Sequence, residues 1–204
     1  MRLYHHPMSS NARRAVMTAV HLGTELDLVI VDLGKGEQRQ PDFLKLNPNG
    51  RVPVLVDDDF VLTESHAIML YLADATAGQT VYPTARRPRA DVNRWLFWSA
   101  HHFQPAVSVL ARERVIKPRF LGQPTDEAEV KRGTELLLDC ARVLDAELAG
   151  RQWVTGDSLT LADFALATPL AFMGPAELPL RAHRNVMRWF AAVQELDAWK
   201  ETGK

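Results

Sequence analysis

The apolar residues change period several times before residue 76 and then settle into one helical period, and this switch restricts the fold more than any other feature. A short strand at Arg2 to Tyr4 leads to a helix that begins near Ser9 or Ser10. In it Ala12, Ala15, Val16, Ala19 and Val20 recur at i, i+3, i+4, i+7 and i+8, which makes one buried face. Gly23 ends that helix. The continuous β-branched run Leu28-Val29-Ile30-Val31 predicts a strand covered on both faces. Pro41 reads as the first residue of a short helix through Phe43 and Leu44, which Asn47-Pro48-Asn49-Gly50 stops. Val52 to Val56 and Phe60 to Leu62 flank Asp57-Asp58-Asp59 and predict a hairpin. Glu64-Ser65 then opens a helix with Ile68, Tyr71, Leu72 and Ala75 on one face. The order over residues 1–76 is βαβαββα.

Residues 77–89, with Gly78, Pro83 and Pro88, read as a linker, and beyond them strand signals vanish. A long helix is expected from about Ala90 to Arg114, kinked at Pro105 because an interior proline removes a helical hydrogen bond. Thr125 is expected to cap another, in which Leu137, Cys140, Ala141, Leu144 and Leu148 share a face up to Gly150. Helices near Ala162 to Met173 and Asn185 to Glu195 complete an all-α part spanning 90–204.

The totals narrow the function. Lys and Arg number 24 against 25 Asp and Glu, so no strong field points to nucleic acid or an anionic membrane. The single cysteine, Cys140, excludes an intrachain disulfide framework and reads as an inert thiol on an apolar helical face. Any thiol chemistry must come from a ligand. Neither a secretory leader nor an apolar run of membrane-spanning length is legible, and a cytoplasmic protein is the expectation. His5-His6 and His101-His102 are adjacent pairs whose side chains diverge, so no metal is expected.

Four segments carry chemistry: Pro7-Met8-Ser9-Ser10-Asn11-Ala12-Arg13-Arg14, Asn47-Pro48-Asn49-Gly50-Arg51-Val52-Pro53-Val54-Leu55, Thr63-Glu64-Ser65-His66-Ala67-Ile68 and Ser158-Leu159-Thr160-Leu161-Ala162-Asp163. A serine at a helix start is most simply an N-cap, and Glu64-Ser65 alone reads the same way. Thr160 and Asp163 fit the reciprocal capping box. Pro53 would spoil a central strand in trans, and a cis Val52-Pro53 bond resolves the conflict.

In order and spacing the four segments resemble the cytosolic glutathione transferases of the serine-type classes (theta, delta and phi), and together they cover nearly the whole chain. The resemblance implies a thioredoxin-like glutathione-binding domain over 1–76 and an all-helical domain over 90–204 for the second substrate and dimer contacts. It implies Ser9 as the hydroxyl that stabilises the glutathione thiolate, with Ser10 and Asn11 as neighbouring donors that could take its place and Tyr4 as a further fallback. Val52 and Pro53 would pair with the cysteinyl backbone of glutathione. Ser65 would hold the γ-glutamyl carboxylate, with Glu64 near its ammonium and His66 standing in place of a frequent arginine. Gln38, Arg39 and Arg51 would reach the glycyl carboxylate, at positions where these classes often carry His or Lys. Met8, Trp98, His102 and Phe103 would line the apolar pocket of the second substrate. The expected activity is conjugation of glutathione, as cosubstrate, to small hydrophobic electrophiles by a detoxifying homodimer, with peroxidase, dehalogenase or isomerase chemistry open. The alternative is a non-catalytic module of the same fold that binds ligands or proteins.

Overall fold

In the computed structural model, which describes residues 1–203, strand β1 (Arg2–His5) lies inside a mixed four-stranded sheet ordered β2-β1-β3-β4. Helix α1 (Ser10–Leu22) links it to its parallel neighbour β2 (Asp27–Ile30). A 3₁₀ turn (Glu37–Arg39) and α2 (Pro41–Leu46) lead to β3 (Val54–Asp57), antiparallel to β1, and β4 (Phe60–Leu62), antiparallel to β3. Helix α3 (Ser65–Ala75) closes the unit, so the expected βαβαββα order is present.

Strand alternation assigns the two faces. Leu3 and Leu55 are paired across β1 and β3 and are fully buried with Ala15, Ala19, Ile68 and Leu72, so one face packs on α1 and α3. Tyr4 and Val54, the next pair along, turn to the other face and cluster with Phe43 of α2, Val31 and Val52. That second cluster lies under the segment joining α2 to β3 and anchors it.

Several local expectations are corrected. Strand β2 is not covered on both faces: it is a sheet edge, and Ile30 is 61% exposed. The ladder of β3 starts at Val54, so Pro53 precedes the strand instead of interrupting it. Asp57 pairs with Phe60, which shortens the acidic turn to Asp58-Asp59, with Asp58 at φ 51°.

The chain divides into two units, one of Met1–Tyr82 joined by the segment from Leu196 onward, the other Pro83–Glu195. In the second unit α4 (Arg86–Trp98) starts earlier than residue 90, since Pro88 sits in its first turn, where a missing N–H costs no hydrogen bond. The helix does not end at Arg114. It runs through a π-helical stretch (Ser99–Phe103), α5 (Gln104–Ala111) and a second π-helical stretch (Arg112–Leu121). The register slip falls just ahead of Pro105, whose ring and absent N–H would break regular i→i−4 bonding. Asp126, not Thr125, caps α6 (Glu127–Glu147), its carboxylate accepting from Ala128 and Glu129, while the Thr125 hydroxyl donates to the Glu113 carbonyl. Helix α7 (Leu161–Ala167) is buried along its length and carries the expected capping box. It continues as a 3₁₀ segment (Thr168–Phe172) and is followed by α8 (Arg184–Gln194).

The last helix, α9 (Asp197–Glu201), belongs to the first unit, against the expectation that everything after residue 90 forms one helical part. It packs on α1: the Arg13 guanidinium lies 3.7 Å over the Trp199 ring and its Nη2 donates to the Trp199 carbonyl at 2.9 Å. Among the described residues no helix is long and apolar enough to cross a membrane.

Candidate active site

Helices α1 and α3 begin at the same cavity, and they treat their free first-turn N–H groups differently. Ser9 is the N-cap of α1, in extended conformation, and its Oγ accepts the Ala12 N–H at 3.2 Å. Capping uses a lone pair of the hydroxyl and leaves its hydrogen available to donate. The cap and the anion-stabilising donor are therefore compatible roles for one side chain. Helix α3 has no side-chain cap hydrogen bond. Its N-cap, Glu64, sits at φ 68° and ψ 110°, a costly conformation for a residue with a Cβ and one that concentrates at functional sites. No side chain of the cap consumes the N–H groups at the α3 start, which can therefore receive an anion.

The third wall is the segment between α2 and β3. Asn47 is buried and shapes it, donating from Nδ2 to the Arg51 carbonyl at 2.7 Å and accepting the Asn49 N–H on Oδ1 at 3.1 Å. Gly50, at φ 59°, lets this segment press on the 3₁₀ turn: a Cβ there would lie 2.9 Å from the Gln38 carbonyl oxygen. The Val52-Pro53 bond is cis. Asn11 from α1, Asn47, Asn49, Arg51, Val52 and Pro53 from this segment, and Glu64 and Ser65 at α3 enclose a cavity of about 360 Å³.

Charge of both signs lines the cavity, Arg51 and Glu64. The Arg14 guanidinium of α1 is wholly buried, and burial lowers its pKa only to about 9, so it stays charged at neutral pH. Its Nη1 lies 2.6 Å from Nε2 and 3.3 Å from Nδ1 of His66. Burial, and secondarily the Arg14 charge, hold that imidazole neutral, with its pKa pushed down to about 3. Two helix starts and Arg51 suit an extended ligand carrying negative charge at more than one place, and Glu64 suits a cationic group on the same ligand.

The family model for the glutathione S-transferase N-terminal domain matches residues 1–74, and that for the C-terminal domain matches residues 100–197. The chain belongs to the glutathione S-transferase family. Glutathione S-transferase F10 of Arabidopsis thaliana is 35% identical, with 96% of this chain and 93% of the relative covered. Glutathione transferase F7 of Populus trichocarpa superposes with a TM-score of 0.92 at 27% identity, covering 98% of this chain and 96% of that one. A glutathione S-transferase-I structure bound with lactoylglutathione superposes with a TM-score of 0.89 at 27% identity, over 99% and 97% of the two chains.

Within this transferase fold the expected site residues are distributed unevenly. Arg51, Val52, Pro53, Glu64 and Ser65 meet at the cavity, with Asn11 of the trio at the α1 start. Ser9 caps the helix that brings Asn11 there, and Ser10 is that helix's first residue. Gln38 and Arg39 lie outside the cavity walls, on the turn packed against Gly50. His66 is not a wall residue either; it faces Arg14. Tyr4 stacks edge-on against Phe43, with ring centroids 6.2 Å apart, in the cluster on the α2 side. Met8 is exposed in the turn before α1. In the helical unit Trp98 stacks on Phe103 at 5.8 Å and approaches His102 at 6.2 Å; Phe103 is buried, which makes it core. Cys140 is half-buried, and burial, then Asp139, raises its thiol pKa to about 11, so it offers no thiolate. Sequence reasoning missed Asn47 and Asn49 as individual wall residues. The Asn-Pro-Asn-Gly turn signal was the clue available, since Asn side chains bond to backbone two residues on.

Proposed function

We propose that this chain conjugates glutathione, as thiolate, to small apolar electrophiles. The observation that carries the reading is the pair of helix starts at one cavity, one capped by a serine hydroxyl with a hydrogen to spare, the other without a side-chain cap. The γ-glutamyl carboxylate docks on the α3 start at Ser65, with Glu64 beside the ammonium. The cysteinyl backbone runs along Val52, which precedes the β3 ladder, and the glycyl carboxylate turns toward Arg51, with Gln38 and Arg39 on the adjoining turn. The sulfur then lies at the α1 start.

A free thiol has a pKa near ~8.5, and lowering it by about two units requires about 2.7 kcal/mol of preference for the thiolate. A donated Ser9 hydrogen bond, the positive end of α1 and the buried Arg14 charge act in that direction. The thiol proton leaves to solvent. Sulfur then forms a bond to the electrophilic carbon, and a leaving group such as halide departs with its bonding pair. Ser9 stays a donor throughout, neither nucleophile nor base.

The first unit binds glutathione, and the apolar surface of the helical unit, Trp98 and His102 among it, serves the second substrate. Exposed Phe60 and Val61 on the edge strand β4, and Phe97 on α4, offer apolar surface for a second copy, in keeping with a homodimer. We place the enzyme in the cytoplasm, in the disposal of reactive electrophiles.

Retention on glutathione-agarose, combined with turnover of a panel of aryl halides, hydroperoxides and epoxides, tests the reading. Retention with turnover of an aryl halide is expected. Binding without turnover across the panel would contradict the enzymatic reading, and peroxide turnover alone would redirect the substrate class.

A further inference from the structure

Arg14 and His66 are 52 positions apart in sequence, and each sits just inside one of the two helix starts that meet at the cavity. Arg14 is fully buried on α1, one turn beyond Asn11, and His66 directly follows Ser65 on α3. The guanidinium Nη1 is 2.6 Å from the imidazole Nε2, which ties the second turn of α1 to the first turn of α3. A neutral imidazole at that distance avoids the repulsion that a second cation there would bring. A neutral imidazole provides a ring nitrogen that can accept and a flat surface against which the guanidinium can pack.

We infer that His66 is a positioning residue: through Arg14 it sets the start of α1 against the start of α3, and so sets where the sulfur of a tripeptide lies when its carboxylate is held at Ser65. The inference rests on the glutathione reading above. A single ligand spans both helix starts, so a change in their separation cannot be absorbed at both ends at once. The end with the stronger charge pairing keeps its contacts, and the thiol moves away from the Ser9 hydroxyl and the Arg14 charge.

The test compares His66→Leu, which keeps bulk but offers Arg14 no acceptor, with His66→Gln, which restores a neutral acceptor. Three quantities are read for each folded protein: the pKa of the bound glutathione thiol by thiolate absorbance, kcat with an activated aryl halide, and the Kd of S-methylglutathione, which has no thiol. H66L is expected to raise the bound-thiol pKa by about one unit and so lower the thiolate fraction at pH 7 about three- to eightfold, with a matching fall in kcat. Its S-methylglutathione Kd should change less than about twofold, on the same energy scale. H66Q should recover most of the pKa and kcat. A merely structural role would lower melting temperature in both variants and leave the thiol pKa of the folded protein where it was; that outcome overturns the inference. H66L matching wild type in pKa and kcat overturns it as well. Wild-type protein that does not bind glutathione overturns the reading beneath, and a wild type that binds and ionises glutathione beside an unaltered H66L overturns the positioning role alone.

Discussion

Replacing Ser9 by aspartate keeps an N-cap of equal quality while removing the donated hydrogen and placing a negative charge beside the thiolate. Ser9→Asp should therefore melt within about 0.5 kcal/mol of wild type and lose most activity, whereas Ser9→Thr keeps both properties and Ser9→Ala loses about 1 kcal/mol of cap as well as the donor. Comparing unfolding midpoints with kcat across the three separates the two jobs of one hydroxyl; an active S9D would remove the donor role. At Gly50, a Cβ meets the Gln38 carbonyl at 2.9 Å and the backbone is left-handed. Gly50→Ala should cost at least about 1–2 kcal/mol and weaken glutathione binding together, measured by denaturant unfolding and calorimetry. His66 supplies a pH dependence. Its folded pKa, about 3, lies below the 6.5 of a free imidazole, so the unfolded chain takes up a proton that the folded one refuses. The corresponding stability is complete above about pH 6.5 and is lost as pH falls toward 3. Thermal midpoints from pH 7 to pH 4 should thus fall more steeply for wild type than for His66→Gln, and parallel curves would contradict this.

Among the elements, α7 depends most on one side chain. Asp163 is fully buried and accepts from the Val154 N–H at 2.9 Å, the Thr160 N–H at 2.9 Å and the Trp189 Nε1–H at 2.8 Å. Burial pushes its pKa up to about 6, against the pull of these donors. Asp163→Ala strands three buried donors and should cost about 3 kcal/mol or more in unfolding free energy, with little change in the properties of bound glutathione. This box was legible in sequence because its parts lie three residues apart, as were the Gly23 stop and the Pro41 start, which are local backbone matters. The exposure of β2 was not. An apolar β-branched run looks alike in a central and an edge strand, and only the strand order β2-β1-β3-β4 makes Ile30 an exposed residue. Pro88 misled for a related reason: a proline breaks a helix interior but is accepted in a first turn, and sequence alone does not say where the first turn is.

For the molecule as a whole, the segments that build the cavity were legible because each is a local motif, while the contacts that tie them together were not, since they join positions far apart. Arg14 with His66 and Arg13 with Trp199 are of this second kind. The latter pair returns the end of the chain to the first unit and backs the helix whose start carries Ser9. Trp199→Ala, which removes a buried ring, should destabilise by about 3 kcal/mol, read by denaturant unfolding, and loosen the α1 amides in hydrogen exchange ahead of those of α7. Equal loosening of both helices would contradict the assignment of α9 to the first unit. The central claim is that this cavity holds glutathione with its sulfur ionised at the α1 start. A pH titration of thiolate absorbance in the complex of wild-type protein with glutathione tests it directly: a bound-thiol pKa about one to two units below the ~8.5 of a free thiol is predicted, and a bound thiol that titrates like the free one would contradict it.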